Sequence, residues 1–399
     1  MAPPSKPEIL EKDIGGFKKF QRVLKLFEGL HTHACDRDLA GNRKLHYDQY
    51  IGLILLYYFN PILTSLRGIQ QASELKKVQK KLKCPRASLG SLSDASRVFD
   101  PDLLRGIIGD LVDQLKPLDL RQGYDQVSGV LTLVDGTLLP ALPKLVEAMW
   151  LGGQHKAFKI HTHFEAVKSV PVHATVTTAN ASERQVLIEN LSADRVYVID
   201  RGYYSFDVFR QILDAKSSFV CRVRENCSPK NWESLAIPKS AEKAGIISDC
   251  VGTFQTPAAQ QAKIDQTQLR RVAIRCTPHP KRNKGSRGGP GNSGSIIVLT
   301  NLMDVPAEVI ALIYEHRWAI ETFFRFFKHT LGCRHLISHD VNGIHIQVYV
   351  GIIACLLIAL WTGKKPTLRT YEMVCFYFVG MADLDELTAH IEKLQTQPA

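Results

Sequence analysis

Two short apolar runs, Gly129–Val134 and Arg195–Ile199, each lead straight into an aspartate with a glycine close behind: Asp135-Gly136 and Asp200-Arg201-Gly202. Runs this short, rich in Val, Leu and Ile and bounded by turn residues, read as buried strands. Around them, Ala157–Ala166 and Val170–Thr178 alternate as a hairpin about Lys168-Ser169. Ser182-Glu183-Arg184-Gln185 opens a helix as a capping box, and a helix over Ser205–Ala215 precedes a strand over Ser218–Val223. Strand, two strands, helix, strand, helix, strand is the order of an α/β chain with a mixed sheet flanked by helices. A carboxylate at the C-terminal end of such a strand stands at the sheet rim, where ligands bind. Taken singly, each Asp-Gly is more simply a turn.

The flanking segments differ. Residues 1–120 read as an N-terminal helical domain: Ile51–Phe59 is an apolar helix or core segment, Ser65–Leu82 has amphipathic spacing, and Asp100-Pro101 starts a helix that runs towards Pro117. The basic run Lys76, Lys77, Lys80, Lys81, Lys83 is either a solvated helix face or a phosphate contact. Residues 121–223 hold the α/β core. Residues 224–305 break its rhythm, and alternating segments at Gln268–Cys276 and Ser295–Thr300 indicate a β-rich insertion. Within it, Thr277–Ser295 is rich in Pro, Gly, Ser and basic residues and reads as a flexible loop. Helix returns over 306–365, and 366–399 forms a helical tail whose last segment, Met381–Ala399, is an amphipathic helix suited to self-association or to a simple surface role.

Near residue 320 the chain concentrates charge. In one continuous helix Tyr314, Arg317, Glu321 and Lys328 fall within roughly 60° of one another, with Trp318 and Arg325 close to the same stripe. A salt-bridge ladder is the plain reading, since Arg317 precedes Glu321 by one helical turn. Such ladders ordinarily sit on a solvated face, whereas this one is embedded in Trp318, Phe323, Phe324, Phe326 and Phe327.

The segment YEHRWAIETFFRFFK fills every position of Y-x2-R-x3-E-x6-K, and in this it resembles the DDE transposases of the insertion-sequence 4 family. VDGT at Asp135 and VIDRGYY at Asp200 are similar to the surroundings of that family's first and second catalytic aspartates. The interval from Asp200 to Glu321 is nearly twice that from Asp135 to Asp200, as in members with a β-rich insertion. The resemblance covers about residues 90–365. It implies a ribonuclease-H-like core in which Asp135, Asp200 and Glu321 are catalytic and bind two Mg²⁺ ions, with Mn²⁺ as the substitute. Hard divalent cations prefer oxygen ligands, and a pair of them suits in-line phosphoryl displacement. The resemblance further implies cleavage of transposon ends and transfer of the 3′-hydroxyl into target DNA. Tyr314, Arg317 and Lys328, with Arg325 beside them, would contact end-DNA phosphates. Trp318 would either stack beside a distorted base or pack in the core, the latter being the stronger expectation. Tyr203 and Tyr204 are family-like, and ordinary packing explains them equally well. The implied partners are double-stranded DNA, as terminal repeats, whose recognition falls by position and charge to the helical domain 1–120, and as target, and a second copy of the chain in the DNA complex. The implied setting is prokaryotic, cytoplasmic and nucleoid-associated, with no membrane. A related nuclease and a domesticated, non-catalytic DNA-binding protein are the alternatives.

Composition agrees. Lys plus Arg is 50 against 39 for Asp plus Glu, so the net charge of +11 permits a polyanionic partner. The nine cysteines, with no CxxC pair, read as reduced core thiols. The apolar run Val348–Trp361 is shorter than the ~20 residues of a membrane span and reads as a buried helix. His31-Thr32-His33-Ala34-Cys35 and His161-Thr162-His163 are weak zinc candidates. The first lacks a clear fourth ligand, and the second better suits a DNA-facing or solvated strand.

Overall fold

The computed structural model describes residues 24–31, 41, 43–118, 123–140, 149–151, 155–225, 227, 231–276, 294–338 and 340–396. Most of the Thr277–Ser295 loop, the His33 and Cys35 of the first His/Cys cluster, and the last three residues of the tail lie outside them. The described elements run α1 (Tyr47–Phe59), α2 (Leu66–Ser73), α3 (Lys76–Leu82), α4 (Leu89–Val98), α5 (Leu103–Gln114), β1 (Val130–Pro140), β2 (Met149–Leu151), β3 (His155–Glu165) and β4 (Val170–Thr178). They continue as α6 (Glu183–Glu189), β5 (Arg195–Ile199), α7 (Phe206–Asp214), β6 (Ser218–Val223), β7 (Asn231–Ser234), α8 (Lys239–Lys243), β8 (Ile246–Thr253), α9 (Pro257–Gln261), β9 (Leu269–Arg275) and β10 (Ser295–Thr300). The chain ends with α10 (Ala307–Glu315), α11 (Trp318–Arg325), a π turn (Phe326–Thr330), α12 (Val341–Thr362), α13 (Leu368–Val379) and α14 (Leu384–Thr396).

The strands form one ten-stranded sheet in the order β2-β3-β1-β5-β6-β10-β9-β8-β7, with β4 also paired to β3. Antiparallel β4-β3-β1 followed by parallel β1-β5-β6 is the ribonuclease-H-like core. The insertion does not form a separate layer. β10 returns antiparallel to β6 and β9 to β10, so the inserted strands prolong the same sheet. Alternation along each strand sends side chains to opposite faces. Leu131, Leu133, Val196, Val198 and Val220 pack with Ile310, Ile313 and Ile320 of α10 and α11. Val134, Tyr197, Ile199 and Phe219 pack with Leu187 of α6 and with Val208, Phe209 and Ile212 of α7.

The N-terminal and C-terminal helices are one body. Ile51, Leu55, Leu104 and Leu111 share a core with Ile353, Leu356, Val374 and Ile391. Tyr58 Oη donates to the Gln347 carbonyl at 2.8 Å, and Tyr371 Oη donates to the Tyr58 carbonyl at 2.6 Å. Ser65–Leu82, expected as one amphipathic stretch, is two helices separated at Glu74-Leu75. Ser65 Oγ caps the first by accepting the Gly68 amide. α14 turns Leu387 and Ile391 into the core, so these apolar positions pack within the chain. α12 extends beyond the apolar run seen in the sequence. Its 22 residues are long and apolar enough to cross a membrane, but most are buried inside the fold, as in a central helix that is apolar all round. Its approach is close: a Cβ on Gly351 would lie 2.7 Å from Cys333 Sγ and 3.0 Å from Phe327, so any larger residue would push α12 off the segment after α11. The described cysteines are all unpaired thiols, five of them buried.

Candidate active site

β1 does not stop at Asp135. It continues to Pro140, with Asp135 paired to Thr162 of β3. The expectation of a strand-end carboxylate is therefore wrong for Asp135 and right for Asp200, which directly follows β5. What opens the Asp135 side chain to the site is its other neighbour. β5 pairs with β1 in parallel only as far as Leu133↔Val198, then ends at Ile199. Asp135 and Asp200 therefore follow in matching register on adjacent parallel strands, on the face covered by α10 and α11.

The signature segment is not one helix. α10 ends at Glu315, His316 and Arg317 form a turn, α11 runs to Arg325, and the chain then widens into the π turn, where the Leu331 amide bonds the Phe326 carbonyl. The turn is pinned by His316, which is buried, hydrogen-bonds the Tyr124 hydroxyl and stacks on its ring. Tyr314, Arg317 and Glu321 still converge. Tyr314 Oη donates to Asp200 Oδ1 at 3.1 Å. Arg317 Nη2 donates to Glu321 Oε1 at 2.6 Å, and Arg317 Nη1 lies 3.5 Å from Asp135 Oδ2. Arg222, from β6, stands 3.9 Å from Asp200 Oδ1. One guanidinium thus bridges two of the three carboxylates and acts on the third.

These surroundings separate the two aspartates. Burial pushes the Asp135 carboxyl up to about 6, although the Arg317 charge and the Gly136 amide, which donates to Oδ1 at 2.8 Å, pull the other way. Burial also raises Asp200. There Arg317, the Arg201 amide, Arg222 and the Tyr314 hydroxyl together outweigh it and hold the carboxyl below its ordinary value. Burial and Asp200 push the Tyr314 phenol up, so it stays a donor. Among the described residues, no three carboxylate, imidazole or thiol groups stand together as a ready-made metal cage. The guanidinium of Arg317 supplies the positive charge at this centre.

The remaining residues singled out in the sequence are placed differently. Arg325 is exposed at the end of α11, and Lys328 is half-buried in the π turn, where burial lowers its ammonium pKa. Neither forms an ion pair with the three carboxylates. Trp318 is 52% exposed, which overturns the core-packing expectation. It lines a groove of about 310 Å³ together with Phe164, Phe323, Phe326, His316 and Lys365. His161 and His163 are buried rather than solvated. His161 Nε2 bonds Thr177 Oγ1, the His163 ring packs on Tyr197, and burial lowers both, to about 4 and about 3. His31 pairs with Asp48 at 2.9 Å. Tyr203 is buried, and the half-buried Tyr204 accepts from Cys227 Sγ. Sequence reasoning missed Arg222 and His316. Arg222 had a usable signal, a lone arginine near the end of an apolar strand. The role of His316 depends on Tyr124, distant in sequence and visible only in the fold.

A ribonuclease-H-like sheet with acidic residues on adjacent parallel strands, and a third carboxylate on a following helix, defines the class of DDE enzymes. The sequence profile of the transposase DDE domain matches residues 128–357, more than half of the chain, and the chain belongs to that family. A Sinorhizobium fredii protein named as a transposase is 27% identical over 71% of this chain and 75% of its own length. A Geobacillus stearothermophilus protein, named as the transposase of an insertion-sequence element, is 27% identical over 58% of each chain. A Synechocystis protein with a similar name is 25% identical over 68% of this chain and 71% of its own. The piggyBac transposase, solved as a synaptic complex with hairpin DNA, aligns over 99% of this chain and 87% of its own, with 11% identity and a TM-score of 0.41. The protein is a transposase of the insertion-element type.

Proposed function

We propose that this transposase, of the insertion-sequence 4 type, cuts the ends of its element and joins the freed 3′-hydroxyl to target DNA at one centre built from Asp135, Asp200 and Glu321. The observation that carries this reading is the matched register of Asp135 and Asp200, with Glu321 tied to them through Arg317. A donor set made only of carboxylate oxygens fits two Mg²⁺ ions, or Mn²⁺ in their place. Asp135, Asp200 and Glu321 would hold them, and bound there the ions supply activation of the attacking oxygen and stabilisation of the leaving one.

The chain's own groups do the rest. Asp200, held ionised by its neighbours, is a ready anionic ligand, whereas Asp135 sheds its proton near neutrality. Arg317 neutralises the carboxylates in the free protein and, once released, offers a planar fork to the scissile phosphate. Tyr314 fixes the Asp200 rotamer. Lys328 and Arg325, off the carboxylate stripe and without ion-pair partners among the described residues, are available to phosphates further along the end. Trp318 offers an exposed aromatic face to a displaced base. The DNA is double-stranded terminal repeat and target, and two copies of the chain hold two ends together in the cytoplasm, on the nucleoid.

The test is a cleavage assay with the element's own ends, comparing Mg²⁺ with EDTA and wild type with Glu321→Ala. Metal-dependent nicking at the ends, abolished in the variant, is expected, with strand transfer following when target DNA is added. End binding without cleavage by well-folded wild type would overturn the catalytic reading in favour of a DNA-binding protein. Cleavage without strand transfer would make it a nuclease.

A further inference from the structure

The glycines behind the two aspartates leave a gap on the sheet face opposite Arg317, and one side chain, Glu183, reaches both sides of it. A Cβ on Gly136 would stand 2.9 Å from Glu183 Oε1, and one on Gly202 would stand 3.7 Å from Glu183 Oε2. Glu183 opens α6, whose cap Ser182 accepts the Gln185 amide, and Arg184 Nε donates to the Gly202 carbonyl at 2.9 Å. The helix start is thereby fastened to the turn after Asp200. Lys159 of β3 holds the Glu183 carboxylate, Nζ to Oε1, at 3.2 Å.

Two buried polar atoms in this region have no hydrogen-bond partner among the described residues: Tyr203 Oη and His161 Nδ1. Their residues are only 2% and 4% exposed. The negative charges that bear on the Tyr203 phenol are Glu183 first, then Asp135 and Asp200. A fourth carboxylate and an unused buried donor therefore lie beside the two aspartates. A buried hydroxyl with no acceptor is costly in a folded protein and calls for a reason.

We propose that Glu183 is a fourth acidic residue of this centre, a positioning residue that strengthens its hold on the divalent cation from the α6 face. Lys159 pairs with the carboxylate but is not needed for its charge, and Gly136 and Gly202 leave it room. The proposal rests on the metal-dependent reading above. Coulomb attraction is the physical basis, since the Glu183 charge already bears on Asp135, and groups around metal ligands commonly change metal affinity by about 10-fold or more.

The experiment is a Mn²⁺ titration of the full chain without DNA, with free Mn²⁺ read by electron paramagnetic resonance. Melting temperature in EDTA is measured alongside. Glu183→Gln should weaken Mn²⁺ binding about 10-fold with an unchanged melting temperature, and Glu183→Asp should recover part of the affinity. A loss smaller than about threefold on that scale overturns the proposal. Should Glu183→Gln lower the melting temperature, Lys159→Met decides, since it breaks the ion pair but keeps the carboxylate. Wild-type Mn²⁺ affinity in Lys159→Met supports the proposal, and a loss equal to that of Glu183→Gln makes the pair merely structural and overturns it. Asp135→Asn separates the two readings. If it binds Mn²⁺ as wild type does, the metal-dependent reading itself fails. If it loses Mn²⁺ while Glu183→Gln does not, only the role of Glu183 fails.

Discussion

Replacing Asp135 by asparagine should stabilise the metal-free protein at neutral and alkaline pH while abolishing cleavage. The magnitude follows from the position of the carboxyl. Its pKa stands at about 6 in the fold against an ordinary 3.8, with burial as the largest cause. The folded state thus binds this proton more tightly than the unfolded chain does. The associated stability is complete below the unfolded value and is lost as pH rises through about 6. A gap of about 2 pH units corresponds to about 3 kcal/mol. The side chain is 25% exposed, so screening trims the expected penalty to about 2 kcal/mol above pH 7. Asparagine keeps the oxygen that accepts the Gly136 amide and removes the charge. The assay is melting temperature in EDTA from pH 4.5 to 8 for both proteins. The variant should come closest to wild type at the acid end and melt a few degrees higher at the alkaline end. An equal or lower melting temperature at pH 8, or a pH slope the same as wild type, would refute the reasoning.

Two further perturbations test other parts of the structure. Arg270 and Asp249, both almost fully buried, form a bidentate pair at 2.9 and 2.6 Å. Arg270 Nη1 also reaches the carbonyls of Leu302, Met303 and Val305 just before α10. Asp249→Ala leaves that guanidinium without its counter-charge and should cost about 3–5 kcal/mol, read as a lower urea midpoint; an unchanged midpoint would refute it. Trp318→Ala should change stability by less than about 0.5 kcal/mol, because the ring is half exposed, yet weaken end cleavage by about 10-fold. Parallel losses of stability and cleavage would return Trp318 to a packing role.

Local chemistry made much of this legible. β5 and β6 fall where the apolar runs Arg195–Ile199 and Ser218–Val223 place them, because a buried strand needs little more than a short β-branched run between turns. The three acidic residues were visible because each sits in a distinctive string. Four features were not. β1 overran its expected end because Gly136, Thr137 and the residues beyond are held in strand by β3, a long-range pairing with no local signal. The extension of the sheet by β7–β10 depends on β10 meeting β6 across the insertion. The burial of His161 and His163 depends on β4 pairing alongside β3 and on α6 packing against it, on a face whose residues look solvent-facing in sequence. The break at His316-Arg317 was hidden for a different reason: YEHRWAIE contains neither proline nor glycine, and every residue in it is a tolerable helix former.

That break explains how the centre is assembled before any ligand arrives. Three carboxylates gathered at one sheet face repel one another, and burial sharpens the repulsion. A cation must compensate, and in the free protein it is Arg317, within 3.5 Å of Asp135 and 2.6 Å of Glu321. Arg317 sits in the turn between α10 and α11, keeps helical dihedrals and so retains its pair with Glu321 one helical turn on, and the turn is held from both sides. Downstream of β10, Arg270 clamps the carbonyls that lead into α10, and at the break itself Tyr124 stacks on His316 and bonds it. Tyr124 comes from the segment just before β1, so the element that carries Asp135 and the turn that carries Arg317 are fastened together through this pair as well as through the Arg317–Asp135 ion pair. The β-rich insertion supplies the other fastening, through the buried Arg270–Asp249 pair. Strands far from the carboxylates along the sheet therefore bear on how Tyr314, Arg317 and Glu321 meet the aspartates.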